Sequence, residues 1–223
     1  MKADFFDVDY YQKGIETGKS GYSNYRWLPE LTLPMCMVLI DYLHLSREHT
    51  ILDYGCAYGF YVKGLRMLHR QAWGFDISQH AIDSVDPVVK PYCFKISNPV
   101  EIPEFYDFCI AKDVFEHVEY NEIGFILKHI PANNIFIVVP LGKNGKYVAP
   151  YNNLDKSHII CESLDWWLEI IDSSGWEFHT FAYRVNGIKD QYYEQYPKAH
   201  GFIWCYRNGC RIQSGNPLLL KGE

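Results

Sequence analysis

The sequence predicts an α/β fold, a Rossmann-like seven-stranded, mostly parallel sheet with helices on both faces and an antiparallel last strand. Three observations predict it. Short apolar segments alternate with helical patterns between residues 50 and 139, which is typical of strand–helix units and a parallel sheet. The first two of these strands end at acidic residues, Asp53 and Asp76. No helical pattern separates the last two strands, so we expect them to pair antiparallel.

The first 25 or so residues look irregular, and a mostly apolar helix is expected over residues 27–45, with Pro34 opening its main part. Five strands follow, each of the first four leading into a turn or helix on the way to the next. The expected elements are, in order, strand 50–52, a helix from Gly59, strand 72–75, a short helix capped by Ser78, strand 92–96, strand 106–111, a helix over 114–130 and strand 135–139.

The pattern changes after the fifth strand. Residues 141–160 form a connection that is longer than an ordinary loop, and such connections are often functional. A helix follows with Leu164 and Ile171 on its inner face, and Gly175 stands where a C-terminal cap belongs. Two aromatic strands, 176–183 and 202–206, complete the expected sheet.

Composition narrows the function. A length of 223 residues suits one domain, and the net charge of -6 argues against a protein that binds nucleic acid through phosphates. The sequence contains no long uncharged apolar run and no signal-peptide pattern, so we expect no membrane span and a cytoplasmic protein. The seven cysteines are scattered without a Cys-x-x-Cys pair, and we expect reduced thiols and no metal site.

The segment LDYGCAYG contains the most informative turn. Gly55 and Gly59 allow backbone to approach a ligand, yet Phe60 fills the position of the third glycine of a dinucleotide fingerprint. Asp53 would repel a pyrophosphate and attract an ammonium. Asp76, 21 residues after Gly55, stands where a carboxylate accepts hydrogen bonds from ribose hydroxyls. A ligand with a ribose and an amino-acid ammonium but no phosphate fits, and S-adenosylmethionine is such a ligand.

Three motifs carry a family resemblance. ILDYGCAYG, AWGFDISQHAID and AKDVFEHV occur in an order and spacing that resemble the class I S-adenosylmethionine-dependent methyltransferases. The small single-domain enzymes of methyltransferase type 11/12 are the most similar, and the likeness spans roughly residues 30–185. The resemblance implies a methyltransferase domain over residues 27–210, preceded by a cap or lid segment (1–26) and followed by a tail (211–223).

The resemblance also implies the roles of individual residues. The acid after the second strand, Asp76, would hold the ribose, with Ile77 beside the adenine. His117 is a further candidate near the transferred methyl group. The residues expected near the methionine part of the cofactor are Asp53, Gly55, Cys56 and Gly59, and those expected near the sulfonium are Lys112 and Asp113.

Two positions depart from the family pattern. The middle residue of the turn is Ala57 rather than glycine, which is tolerable if its φ is negative. The third strand is followed by Ser97 and Asn98, where an aspartate that meets the adenine amine is common in such enzymes. Either residue is a candidate for that contact.

Methyl transfer from a sulfonium depends mainly on alignment, but a hydroxyl acceptor must also lose a proton. His158, in the connection after the fifth strand, and His117 are the candidate catalytic residues. The N-terminal run rich in tyrosine and glycine is interpreted either as a lid that brings Tyr25 near the cofactor or as a segment packed on the sheet edge. Tyrosine rings stabilise a cation by about 0.5–2 kcal/mol.

Three functions remain open. A methyltransferase acting on a small-molecule or carbohydrate acceptor, at a hydroxyl, fits the compact domain best. An NAD(P)-dependent oxidoreductase or epimerase would need a third turn glycine and usually a Tyr-x-x-x-Lys pair, and neither occurs. A non-catalytic module that binds S-adenosylmethionine is disfavoured because the acids and glycines are intact.

Overall fold

The computed structural model describes residues 3–209, which form one sheet of seven strands and a small separate hairpin. The strands are β1 (Thr50–Tyr54), β2 (Gln71–Asp76), β3 (Cys93–Lys95), β4 (Tyr106–Lys112), β5 (Ala132–Pro140), β6 (Gly142–Lys143), β7 (Lys146–Tyr147), β8 (Trp176–Ala182) and β9 (His200–Arg207). The strands of the sheet lie in the order β3-β2-β1-β4-β5-β9-β8. Neighbours among β1 to β5 pair parallel, whereas β9 runs antiparallel to both β5 and β8. The predicted sheet is therefore confirmed, including its antiparallel last strand.

Helices cover both faces of this sheet. They are α1 (Val8–Gln12), α2 (Gly14–Thr17), α3 (Pro29–Tyr42), α4 (Phe60–Met67), α5 (Gln79–Asp83), α6 (Ile123–His129), α7 (Leu164–Ser173) and α8 (Asp190–Gln195). Side chains of β1 alternate between two hydrophobic layers, with Ile51 in the layer of α3 and α4 and Leu52 in the layer of α6 and α7. Phe136 and Ile137 of β5 divide in the same way. Burial on both faces explains the continuous apolar runs of these strands.

The predicted helix over residues 114–130 is interrupted. A three-residue 3-10 turn containing Glu116 comes first, and α6 begins only at Ile123. The carbonyl oxygen of Glu116 accepts hydrogen bonds from the N–H groups of Ile159 and Ile160, at 2.7 and 3.0 Å. These bonds take the place of continued helical bonding. They also hold the connection after β5 against the turn after β4.

The position expected of Pro34 is wrong, because it lies inside α3. Pro29 occupies the first helical turn instead, where the missing N–H has no intrahelical partner to lose. The helix continues through Pro34 because packing on the sheet outweighs one lost backbone bond.

The irregular N-terminal stretch and the last connection both contain short helices that were not expected. Asp7 caps α1 through a hydrogen bond from the N–H of Tyr10 at 3.0 Å. No residue of α8 is buried, so its sequence carries no apolar period. No helix within residues 3–209 is long and apolar enough to cross a membrane. The predicted tail at 211–223 lies outside the described residues.

Candidate active site

A cavity of about 1040 Å³ lies at the carboxyl ends of β1, β2 and β4. Ligand sites of open α/β sheets lie at this edge. Pockets for one ligand usually measure about 300–1,000 Å³, so this cavity is as large as the largest of such sites. Its wall combines the N-terminal segment, the strand ends and residues from the connections before α7 and β9.

The turn after β1 requires backbone that glycine adopts most easily. Gly55 has φ of 78°, and a Cβ there would lie 2.5 Å from Cγ2 of Val114. Its N–H donates to the carbonyl oxygen of Phe75 at 2.8 Å, which ties the turn to β2. Ala57 has φ of 48°, so the condition under which alanine replaces glycine here without strain is not met. An alanine in the left-handed region costs roughly 1–2 kcal/mol.

Gly59 stands immediately before α4, with φ of 71°. A Cβ at this position would lie 2.9 Å from Sγ of Cys93, and Gly59 is not among the residues that line the cavity. The N–H of Gly59 donates to the carbonyl oxygen of Cys56 at 2.8 Å, which closes the turn. Cys56 does line the cavity, and burial raises the pKa of its thiol. A protonated, buried thiol suits a backbone role better than a nucleophilic one.

Asp76 holds the turn and the start of α5 together. Its Oδ2 accepts a hydrogen bond from the N–H of Ala57 at 2.8 Å, and its Oδ1 accepts one from the N–H of Ser78, also at 2.8 Å. Burial raises the pKa of Asp76, and these backbone donors act in the opposite direction. A carboxylate has about four acceptor sites, so lone pairs remain for a ligand.

Asp53 differs from Asp76 because it lacks such donors. Its side chain is only 4% exposed, and Oδ2 has no hydrogen-bond partner among the described residues. Burial and then the nearby charge of Asp76 raise the pKa of Asp53 to about 7, while Lys112 lowers it. A buried carboxylate oxygen without a partner is costly, and a ligand cation would offset that cost.

A chain of three charged side chains lies at the end of β4. Asp113, at φ of 57°, places its carboxylate 2.5 Å from Nζ of Lys112 and 2.6 Å from Nζ of Lys189. Burial alone would raise the pKa of Asp113, but the two ammonium groups hold it well below its usual range. Lys189, which precedes α8, was not expected in the site, because its surroundings in sequence carry no motif.

Both predicted catalytic histidines line the cavity. The His117 and His158 rings lie 4.8 Å apart, and Nε2 of His158 lies 3.9 Å from Oε1 of Glu116. Burial lowers the pKa of both histidines, to about 4 for His117. Both are therefore neutral at pH 7. Glu116 is 1% exposed, and neither of its carboxylate oxygens has a hydrogen-bond partner among the described residues.

The N-terminal segment forms one side of the cavity. Tyr25 lines it and stacks on Phe60, with ring centroids 4.9 Å apart. Ile77 and Ser97 also line the cavity. The side chain of Asn98 instead caps the 3-10 turn that follows it, by accepting from the N–H of Val100 at 3.0 Å. Ser97 is thus the better placed of the two candidates for an adenine contact.

Several solved structures have folds similar to that of this chain. The chain is similar to an S-adenosylmethionine-dependent methyltransferase from Archaeoglobus fulgidus, with a TM-score of 0.58, 14% identity and coverage of 78% of this chain and 93% of that one. It is also similar to the magnesium protoporphyrin IX methyltransferase of Synechocystis PCC 6803, solved with bound SAH. Here the TM-score is 0.60 and the identity 14%, and the alignment covers 92% of this chain and 97% of that one. For the [4+2]-cyclase SpnF the TM-score is 0.61 and the identity 11%, with coverage of 92% of this chain and 94% of that one.

Sequence comparison adds no relative, because neither a scan of protein-family models nor a search of curated proteins gives a match. The likeness to solved structures lies at low identity and concerns the fold. The cyclase indicates that one fold of this kind serves more than one reaction. The resemblance noted from the three motifs is confirmed at the level of architecture: the chain has the fold of the class I S-adenosylmethionine-dependent methyltransferases.

Proposed function

We propose that this chain is a methyltransferase that uses S-adenosylmethionine and acts on a hydroxyl of a small-molecule or carbohydrate acceptor. One observation carries the proposal. Asp53 is a buried carboxylate whose Oδ2 has no partner among the described residues, at the strand end beside the Asp76 strand. An amino-acid ammonium satisfies Asp53, and a ribose uses the free lone pairs of Asp76.

The other cavity-lining residues fit the same cofactor. Gly55 and Cys56 present backbone to its methionine part, and Ile77 lies beside Asp76 on the adenine side. Tyr25 offers an aromatic face to the sulfonium. Lys112 ends β4 and Asp113 follows it, and both line the cavity. Gly59 supports the turn without facing the cavity.

S-adenosylmethionine, when bound, supplies a methyl group on a positively charged sulfur, so the protein has mainly to align and dehydrate the reactants. The acceptor oxygen takes the methyl carbon while the carbon–sulfur electron pair remains on sulfur. We propose that His158 and His117 face that oxygen and that His158 removes its proton. Both rings are neutral near pH 7, as a base requires.

A phosphate-containing cofactor suits this cavity less well. Asp53 lies at the turn where a Rossmann dinucleotide site holds pyrophosphate, whereas Asp76, at the end of β2, occupies the ribose position in either kind of site. The carboxylate of Asp53 repels a phosphate at this turn, and a pyrophosphate would leave it without a partner. The net charge of -6 also favours a small acceptor over nucleic acid.

Calorimetry tests the cofactor. We expect S-adenosylmethionine and its demethylated product to bind and NAD not to bind. Asp53→Asn and Asp76→Asn should each weaken binding by roughly 1–3 kcal/mol, the scale of a charge-assisted hydrogen bond. Asp83→Asn, at an exposed acid on α5, is the matched control and should bind as the wild type does.

Mass spectrometry then tests the reaction. A panel of hydroxylated sugars and small aromatic metabolites is incubated with the cofactor, and a product heavier by one methylene unit is sought. Binding of NAD in preference to S-adenosylmethionine would overturn the proposal. Tight cofactor binding with no transfer to any acceptor of the panel would favour a binding module or a cyclase-like reaction instead.

A further inference from the structure

A cluster of three metal-ligand side chains lies at the acceptor end of the cavity. Glu116, His117 and His158 each offer one ligand atom, and these atoms lie within 4.8 Å of one another. The three residues come from two separate segments, the 3-10 turn after β4 and the connection after β5. The backbone hydrogen bonds between these segments hold them together.

Glu116 is the least explained member of the cluster. Its side chain is 1% exposed, and both carboxylate oxygens lack a hydrogen-bond partner among the described residues. Removing a carboxylate from water without a partner costs several kcal/mol on the order-of-magnitude scale for buried charges. The two lysines nearby, Lys112 and Lys189, are engaged by Asp113. A cation at the cluster would supply the missing partner.

The imidazole of His117 is already oriented for a ligand. Ser157 Oγ donates its proton to Oδ1 of Asp155, so it accepts from Nδ1–H of His117 at 2.8 Å. Nε2 of His117 is then the unprotonated nitrogen. Oδ2 of Asp155 accepts a second hydrogen bond from the hydroxyl of Tyr10 at 2.7 Å. Metal-binding histidines are typically fixed by such a carboxylate-based relay on the other ring nitrogen.

We propose that Glu116, His117 and His158 bind one divalent transition-metal ion. Two imidazoles and one carboxylate suit Mn²⁺, Fe²⁺, Co²⁺ or Zn²⁺ better than Mg²⁺, which prefers oxygen. Ligand atoms about 2.0–2.2 Å from one ion lie about 3–3.5 Å apart, so the side chains must close in by about 1 Å. All three side chains line the cavity, so an ion bound by them would keep coordination positions open towards its interior.

The ion gives the site a chemical preference, and this part rests on the proposed function. An acceptor with two neighbouring hydroxyls, a vicinal diol or a catechol, would chelate the ion through the open positions. A divalent metal lowers the pKa of a bound hydroxyl, and the proton is then lost to water. His158 acts in that case as a ligand, and no free histidine base is needed.

Metal binding is measured on the full chain after treatment with a chelator. Mn²⁺ is followed by electron paramagnetic resonance and Co²⁺ by its visible absorption, each with calorimetry for stoichiometry. We expect one ion per chain. Glu116→Gln and His158→Gln should each weaken binding by at least the roughly 10–100-fold seen for lost outer partners of metal sites. His129→Ala, an exposed histidine on α6, is the control and should bind as the wild type does.

Wild-type protein that binds no Mn²⁺ or Co²⁺, or variants that bind them as tightly as the wild type, would overturn the site. Affinity for S-adenosylmethionine, measured without metal, shows that each variant is folded and tests the proposed function separately. Loss of cofactor binding with retained metal binding would contradict the proposed function alone. Transfer that needs no added metal and survives a chelator would contradict the role of the ion in the reaction.

Discussion

Asp53 and Glu116 share an unusual property among the residues of the cavity. Each is a buried carboxylate with at least one oxygen that has no partner among the described residues. Such groups lower the stability of the protein without ligands, and they are kept where a ligand satisfies them. This shared property supports both proposals, an ammonium ligand at Asp53 and a metal ion at Glu116.

Asp53→Asn should stabilise the protein above pH 7. The pKa of Asp53 is about 7 in the folded state against 3.8 as its ordinary value, so the folded state binds more protons between these pH values. Stability conferred by a raised pKa is present at low pH and lost as pH rises through the folded value. Removing the acid should raise the free energy of unfolding by roughly 2–4 kcal/mol at pH 8 and little at pH 4. Urea denaturation at both pH values measures this, and equal effects at both would contradict it.

The same carboxyl group predicts how cofactor affinity depends on pH. Asp53 must be ionised to hold an ammonium, so affinity for S-adenosylmethionine should fall as pH drops below about 7. The fall should approach about tenfold per pH unit before it levels off, because binding then releases one proton. Calorimetry between pH 5 and pH 8 in buffers of different ionisation enthalpy reports both effects. A flat profile that Asp53→Asn does not change would exclude Asp53 as the ammonium partner.

Ala57→Gly should stabilise the turn. Ala57 has φ of 48°, a region that glycine occupies without strain, and the change should add up to about 1 kcal/mol to the free energy of unfolding. Ala149→Gly is the matched control, because Ala149 is buried with φ of -98°, and the same change there should destabilise. Chemical denaturation compares the two, and a loss of stability in both would show that the Ala57 methyl group matters more than its φ.

The cavity-lining positions of Asp53, Asp76 and the two histidines were predictable, because each lies near or after the carboxyl end of a strand, at the same edge of the sheet. The left-handed φ of Ala57 was not, since alanine rarely adopts it and nothing in sequence marks the exception. Glu116 was visible as part of a motif but had no assigned role. Its importance follows from burial and from missing partners, which only packing reveals.

At the scale of elements, the N-terminal segment packs against the rest of the chain and is also part of the cavity wall. Tyr10 and Tyr11 are buried and, like Tyr22 and Tyr25, line the cavity. The N–H of Lys156 donates to the carbonyl oxygen of Lys19 at 3.1 Å, which joins the segment to the connection after β5. We propose that residues 1–26 act as a lid, which this contact between Lys19 and Lys156 holds against the connection after β5.

Tyr10→Phe tests how the N-terminal segment is attached to the connection after β5. The change removes the hydrogen bond from the Tyr10 hydroxyl to Asp155 and should lower the free energy of unfolding by about 1.5–3 kcal/mol, the scale for a bond to a charged acceptor. Amide hydrogen exchange should quicken over residues 7–25 more than in the sheet. Tyr120→Phe, which removes an exposed bond to Glu162, is the control and should cost less. Uniform quickening across the sheet would indicate general destabilisation rather than lid opening.

The regular elements were predictable where an apolar period was long, as in α7 and the five parallel strands. Helix α8 and the break before α6 were not. The first buries no residue, and the second depends on the bonds that Glu116 accepts from Ile159 and Ile160, which lie 43 and 44 positions later in the chain. Tertiary contacts determine where short elements with no buried face form, so the local sequence pattern does not predict these elements.

At the scale of the whole molecule, stability and function occupy different parts of the sheet. Phe136, in the middle of β5, is fully buried between Tyr42 and Phe202 and does not line the cavity. The two hydrophobic layers continue beneath the cavity and keep its strand ends in place. Changes within those layers should therefore affect folding before they affect binding.

Phe136→Ala should cost about 3–5 kcal/mol of unfolding free energy through the cavity that it leaves. Affinity for S-adenosylmethionine, measured below the unfolding temperature, should change less than about threefold, since Phe136 itself does not line the cavity. Phe125→Ala, at an exposed ring on α6, is the control and should shift stability by less than about 0.5 kcal/mol. A large loss of affinity in folded Phe136→Ala would show that the layer and the cavity are coupled.

The position of β9 within the sheet determines when the sheet can be completed during translation. β9 lies between β5 and β8, although both of those strands are synthesised before it. Domains fold from the N-terminus as the chain emerges, so β1 to β5 can assemble while one long, apolar edge of β5 stays unpaired. β8 has no neighbour to join until residues 200–207 arrive. From the synthesis of β5 until the synthesis of β9, the nascent chain thus exposes an unpaired strand edge that can pair with other chains. A chaperone would protect the chain during this period.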